Sequence, residues 1–152
     1  MTMERDSTNI YQSARQTAGL TQERWAEMIG VSADAVRQYE TGRIMPSDAV
    51  VTRMAEISML PPLAYWHLRR KSEIAARELP PVDWLPLPQA VVQLLAAMRE
   101  FDRRHHDDEL LRIASDGTID SEELPRFREI LRDLDEVVRC AKQLAYASEG
   151  AR

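Results

Sequence analysis

The chain has 152 residues, 44% of them apolar and 30% charged, with a formal net charge of −5 and one cysteine. That length suits one ordinary domain or two small ones, and the apolar content describes a foldable chain rather than a disordered one. A lone cysteine excludes an internal disulfide and a cysteine zinc site, no apolar run is long enough to span a membrane, and the acidic balance argues against a non-specific nucleic-acid binder.

Helical periodicity dominates and nothing alternates as a strand would, so the expected fold class is all-α. The N-terminus, Met-Thr-Met-Glu-Arg-Asp, has no apolar signal core, which makes a cytoplasmic location the default expectation. A first helix is expected from about Ser7 to Ala18, where Tyr11, Ala14 and Ala18 form a stripe that Arg15 interrupts. Thr21 caps the next, its hydroxyl placed to accept from an unpaired N–H, with Leu20 and Trp25 at hydrophobic-staple positions. This helix runs to Ile29 and stops at Gly30, which can take the left-handed conformation of a sharp turn. Ser32 caps a third helix, Val31 and Val36 repeat the staple, Gly42 ends it, and Pro46-Ser47 opens a fourth from about 48 to 57. Two capped helices so close together form a helix-turn-helix, which presents its second helix to the DNA major groove.

The faces of that second helix support the reading. Ser32, Val36 and Tyr39 share the side that packs inward, while Asp34, Arg37, Gln38 and Thr41 point outward, with Ala33 at the exposed start. Short and hydrogen-bonding side chains on an outward face suit base-edge reading. Glu40 falls near the apolar side, as Arg15 does in the first helix. A half-buried charge without a partner is costly, so the two are expected to meet in an ion pair.

Residues 9 to 57 resemble the phage-repressor (Cro-like) helix-turn-helix family, a compact lambda-repressor-like bundle of about five helices. The resemblance rests on Arg15, Gly19-Leu20-Thr21-Gln22, Ala26, Gly30-Val31-Ser32, Val36, Tyr39-Glu40, Gly42 and Pro46-Ser47. It implies that Arg15 pairs with Glu40 and that Gln22 contacts the DNA backbone and nearby bases. It also implies that Ala33, Asp34 and Gln38 face base edges and that the chain around Arg43 approaches phosphate. Ala33 with Asp34 departs from the family, where Gln, Ser, Thr or Arg is common. An acidic residue there can accept from cytosine N4 but repels phosphate.

A fifth helix is expected from about 62 to 78, carrying Leu63, Trp66, Leu68 and Ile74, with Tyr65 and Trp66 completing a core. The four prolines of Leu79-Pro80-Pro81-Val82-Asp83-Trp84-Leu85-Pro86-Leu87-Pro88 cannot sustain a helix and mark a boundary between domains at 1–79 and 80–152. Trp84, Leu85 and Leu87 are expected to pack along the second half. There, Val91, Leu94, Leu95, Met98 and Phe101 are followed, out of phase, by Leu110, Leu111, Ile113 and Ala114, so a break is expected near His105 to Asp108. The last helix, about 121 to 147, repeats Leu124, Phe127, Leu131, Leu134, Val138, Ala141 and Ala145 at spacings of three and four, widened by Ile130, Val137 and Leu144. Such a stripe suits a bundle or an intermolecular helix layer.

Other candidates have plainer readings. Residues 116 to 123 resemble half of a calcium loop, but Arg112 and Ala114 occupy two ligand positions, so a turn capped by Asp120 and Glu123 is expected. His105 to Glu109 match no metal spacing and read as a solvated charged run; Cys140 reads as a buried thiol. No catalytic motif appears, and no metal or cofactor is implied.

The expected function is therefore that of a non-enzymatic DNA-binding transcriptional regulator, a repressor expected to bind an inverted-repeat operator in double-stranded DNA as a homodimer through its C-terminal helices. Asp34, Arg37 and Gln38 are the expected base contacts, with Thr41 beside them. Gln22 and Arg43 are the expected backbone contacts, and Arg37, Arg43 and Arg53 supply a basic face. An antitoxin-like or anti-repressor protein-binding module on the same fold is the alternative, favoured by the acidic balance and Asp34. A third reading makes the second half the sensor for a small-molecule or protein effector.

Overall fold

The computed structural model describes residues 9–149. Among these the chain is helical throughout, with no strand, and it divides into two compact units. None of the helices described is long and apolar enough to cross a membrane.

The first unit comprises the described residues up to Trp84 together with those from Tyr146 onward. It contains α1 (Ile10–Thr17), α2 (Gln22–Ile29), α3 (Ala33–Glu40), α4 (Asp48–Ser58), α5 (Leu63–Lys71) and α6 (Glu73–Glu78). Thr21 and Ser32 cap as expected, accepting from Arg24 N and Ala35 N, and Ser47, expected with Pro46 to open the fourth helix, caps it by accepting from Val50 N. Helix α1 starts later than expected because Asn9 caps it, accepting from the N–H groups of Tyr11 and Gln12; Ser7 lies outside the described residues. Ile10, Trp25, Ile29, Val36, Met54, Leu63 and Trp66 form the centre of the core. Each fully buried aliphatic side chain there contributes roughly 1.5–3 kcal/mol.

The expected fifth helix is two helices. Ser72 is extended (φ −133°, ψ 122°) and its hydroxyl caps α6 at Ala75 N, while Leu68 and Ile74, two of the apolar residues carried by the expected helix, are exposed. Serine competes well for such a cap, which offsets the lost helical hydrogen bonds. The proline segment belongs to this unit up to Trp84. Val82 is fully buried and its carbonyl accepts from Trp66 Nε1 at 2.8 Å; Tyr65 Oη donates to Pro80 O at 2.6 Å. Trp84 packs on the same core, a correction to its expected place along the second half. Tyr146 meets Tyr65 edge-on with centroids 5.8 Å apart.

The second unit spans Leu85–Ala145. It holds α7 (Leu87–Arg103), α8 (His106–Ile113), a 3₁₀ turn (Ala114–Asp116) and the part of α9 (Leu124–Glu149) up to Ala145. The expected break lies at His105, whose φ of 53° is left-handed. Helices α7 and α9 run antiparallel: Gln143 Nε2 donates to Gln93 Oε1 near one end, and Arg104 reaches Glu129 and Asp133 near the other. His106 is fully buried, a correction to the solvated run expected there. Its Nε2 lies 2.7 Å from Asp133 Oδ2 and its ring meets Phe101 edge-on.

In α9 the inward seam consists of Ile130, Asp133, Val137, Cys140 and Leu144, at spacings of three and four. The stripe expected to be the principal one is divided: Leu124, Phe127 and Leu134 are half-buried, whereas Leu131 and Val138 are 42% and 55% exposed, and Ala141 and Ala145 are exposed. Helix α7 likewise exposes Leu87, Val92, Leu95 and Met98. Burial pushes the Cys140 thiol above its ordinary value. Residues 116 to 123 form a turn in which Asp120 Oδ1 accepts from the N–H groups of Glu122 and Glu123. Glu123, in the place of the last calcium ligand, pairs with Arg112. An apolar cleft of about 330 Å³ opens here between Leu110, Ile113, Ile119 and Phe127.

Candidate nucleic-acid interface

The turn between α2 and α3 is set by Gly30, in the left-handed region (φ 72°, ψ 42°) that side chains with a Cβ disfavour. Val31 follows with its side chain against the core, and Ser32 starts α3. Arg53 of α4 secures this corner, its Nε donating to Ile29 O at 2.7 Å. Arg53 was expected only as part of a basic face; instead it satisfies a carbonyl that the end of α2 leaves free.

The inner side of α3 is fixed by packing and by one polar cluster. Val36 is buried. Glu40, with a side chain 4% exposed, accepts from Arg15 Nε at 2.6 Å and Nη2 at 3.0 Å, the expected pair in bidentate form. Arg15 Nη1 also donates to Leu20 O at 2.8 Å, and Gln22 Nε2 donates to Glu40 Oε2 at 2.9 Å. The hydrogen bonds to Glu40 raise the Arg15 pKa. One cluster thus ties α1, the turn before α2, α2 and α3 together. Asn9 Nδ2 adds a further tie, donating to Tyr39 O at 2.8 Å.

The outer side of α3 brings Asp34, Arg37, Gln38 and Thr41 together, as the helical spacing predicts. Gln38 Nε2 donates to Asp34 Oδ2 at 2.6 Å, and Arg37 Nη1 lies 3.8 Å from Asp34 Oδ1. Thr41 Oγ1 donates to Arg37 O at 2.9 Å, so its hydroxyl is turned back on the helix. Arg43 is exposed in the loop after α3, with no side-chain hydrogen bond among the described residues. Ala33 is half-buried against the core, not at an exposed start, because the turn at Gly30 directs the first residue of α3 toward its neighbours. Gln22 is half-buried with its amide nitrogen on Glu40, which leaves its carbonyl oxygen for an outside contact.

Two polar features were missed by sequence reasoning, the Asn9 cap and a chain of side chains from Tyr11 to Lys71. Asn9 caps α1 directly in front of Ile10-Tyr11, two residues beyond the expected start at Ser7. Tyr11 Oη and His67 Nδ1 lie 2.9 Å apart, and His67 Nε2 is 3.0 Å from Asp48 Oδ1, which also accepts from Lys71 Nζ at 2.6 Å. This chain joins α1, α5 and α4, and no local pattern announces contacts between residues so far apart. Among the described residues no group of three or more His, Cys, Asp and Glu side chains is arranged to hold a metal ion.

A family model described as a helix-turn-helix domain matches residues 12–64. No curated protein and no solved structure matches the chain. The matched span runs from α1 to the start of α5 and includes the tight turn, the outward face of α3 and the Arg15–Glu40 pair. Among its described residues the protein is all-helical, and it carries an N-terminal helix-turn-helix domain.

Proposed function

We propose that the protein is a sequence-specific, DNA-binding transcriptional regulator of the phage-repressor-like type, acting as a repressor on an inverted-repeat operator as a homodimer. The observation that carries this reading is the two-sidedness of α3. Val36 and the Glu40 cluster hold its inner face, while on its outer face Asp34 and Arg37 are exposed to solvent and Gln38 is half-exposed beside them. A helix held so firmly can enter a major groove without losing its own packing. Arg37, Asp34 and Gln38 are assigned to base edges, Gln22 through its free oxygen and Arg43 to the backbone region, and Thr41 to the rim. Ala33 is left with at most a methyl contact.

Dimerisation is assigned to the second unit because α7 and α9 expose apolar seams at helical spacing. Two-fold pairing of such seams places two copies of α3 on successive half-sites. It also adds the second site's binding energy without new base contacts in either domain.

Selection of bound duplexes from a random pool tests the reading, and an enriched inverted repeat is the expected result. Gln38→Ala should then relax preference at one position per half-site, with a loss of about 1–3 kcal/mol on the best operator. Arg43→Ala should weaken all sequences alike and flatten the salt dependence. The acidic balance and the carboxylate of Asp34 favour a protein-binding module as the second reading, which a pool without enrichment would support.

A further inference from the structure

An acidic side chain on a face offered to a polyanion demands a physical reason, since every phosphate repels it. Asp34 is the second residue of α3, and its side chain is 68% exposed. Gln38 Nε2 donates to Asp34 Oδ2 at 2.6 Å, one helical turn along the same face. We propose that Asp34 and Gln38 act together as a hydrogen-bond acceptor that selects cytosine in each half-site. The inference rests on the DNA-binding reading and adds the base it prefers.

A glutamine free to rotate presents a donor and an acceptor side by side, the arrangement that matches N6 and N7 of adenine. In this protein the donor end is turned toward the carboxylate. Gln38 Oε1 takes no hydrogen bond among the described residues, and Asp34 Oδ1 is 3.8 Å from the nearest guanidinium nitrogen, too far for one. The exposed Asp34 and the half-exposed Gln38 therefore keep two oxygens with lone pairs to fill. In the major groove guanine offers only acceptors and thymine offers O4 and a methyl group, so neither can satisfy them. Adenine N6 donates but brings the acceptor N7 beside it, which a carboxylate repels. Cytosine N4 donates with no acceptor of its own base at that edge. The first turn of a recognition helix is where side chains reach base edges, so the repulsion from phosphate is offset where the negative charge is used.

The test uses the full chain at one salt concentration, with random-pool selection on the wild type, Asp34→Asn and Asp34→Ala. The wild-type half-site is expected to contain a cytosine whose replacement by thymine, in the otherwise unchanged operator, weakens binding about tenfold. Asp34→Asn replaces one of the two acceptor oxygens by a donor NH2, so that with the remaining oxygen held by Gln38 a donor faces the base, and it removes a charge. It should lose that discrimination while binding random duplex more tightly. Asp34→Ala frees the Gln38 amide and should move the preference at that position to adenine. The cytosine-to-thymine measurement needs no protein variant, so it stands even if a variant folds poorly. A change of less than twofold, or the same selected site for all three proteins, overturns the inference and leaves the DNA-binding reading intact. A wild-type pool with no enriched sequence overturns both.

Discussion

Glu40 shows how one buried charge organises a small domain. Its carboxylate takes three hydrogen bonds, two from Arg15 and one from Gln22, so the cost of removing it from water is offset by partners on two other helices. Arg15→Ala leaves Glu40 with Gln22 alone and should cost about 3 kcal/mol, while the Arg15→Ala, Glu40→Ala double variant should cost less than the sum of the single changes. Urea unfolding of the four proteins measures the coupling, and simple additivity would contradict it. Asp48 gives a pH-dependent counterpart. Its hydrogen bonds to Lys71 and then His67 hold the carboxyl below its ordinary value of 3.8. A depressed folded value means that the stabilisation is complete above the unfolded value and fades as pH falls through the folded one. Asp48→Asn should therefore lower the melting temperature near neutrality, and the difference from wild type should shrink progressively below pH 3.8. A difference that stays constant into acid would show that the ionised carboxylate is not what stabilises this site.

Helix boundaries were legible where a local cap coincided with a visible break in the apolar pattern. Thr21, Ser32 and Ser47 each satisfy an N–H three residues ahead, and the hydroxyl that does so is visible in the sequence. Ser72 makes the same bond, yet it was hidden inside an unbroken helical pattern, because helical periodicity continues across a one-residue break. Helix α4 ends on a less expected device. Met59 occupies the left-handed C-cap at φ 54° with its side chain 63% exposed. A residue with a Cβ is strained there and little packing depends on this one, so Met59→Gly should stabilise the domain by about 1 kcal/mol. Thermal melting checks this; a lower melting temperature would mean that the Met59 side chain contributes more than its exposure implies.

Across the molecule, the proposed dimer gives two apolar seams on α9 different roles. The inward one, around Ile130, Val137, Cys140 and Leu144, serves the second unit's own packing. The outward one, around Leu131 and Val138, is assigned to a second copy. Leu131→Asp with Val138→Asp should yield a folded monomer at micromolar concentration and weaken operator binding by well over tenfold, because each half-site then binds alone. Sedimentation of wild type and variant decides this, and a wild-type monomer would refute the dimer. Placing a boundary also requires the tertiary structure. A fragment cut at Leu79 would lose Val82, which is fully buried and holds Trp66 through its carbonyl. Any test of the first unit alone must keep the chain through Trp84, and even that omits Tyr146.

Short-range chemistry determined what could be read from the sequence by itself: the all-helical class, the capped pair of helices around Gly30, the outward set Asp34, Arg37 and Gln38, and the meeting of Arg15 with Glu40. Each follows from helical spacing, a cap within one turn, or the cost of leaving a charge unpartnered. The tertiary structure decided the rest. Gln22 is claimed by Glu40, Arg53 closes α2, Ala33 turns inward and His106 is buried on Asp133. Periodicity records which faces of a helix can be buried; which of two adjacent apolar seams is buried within the chain depends on neighbours far away in sequence. The same holds for polar side chains, whose type shows that they need a partner but not which one the fold brings within reach.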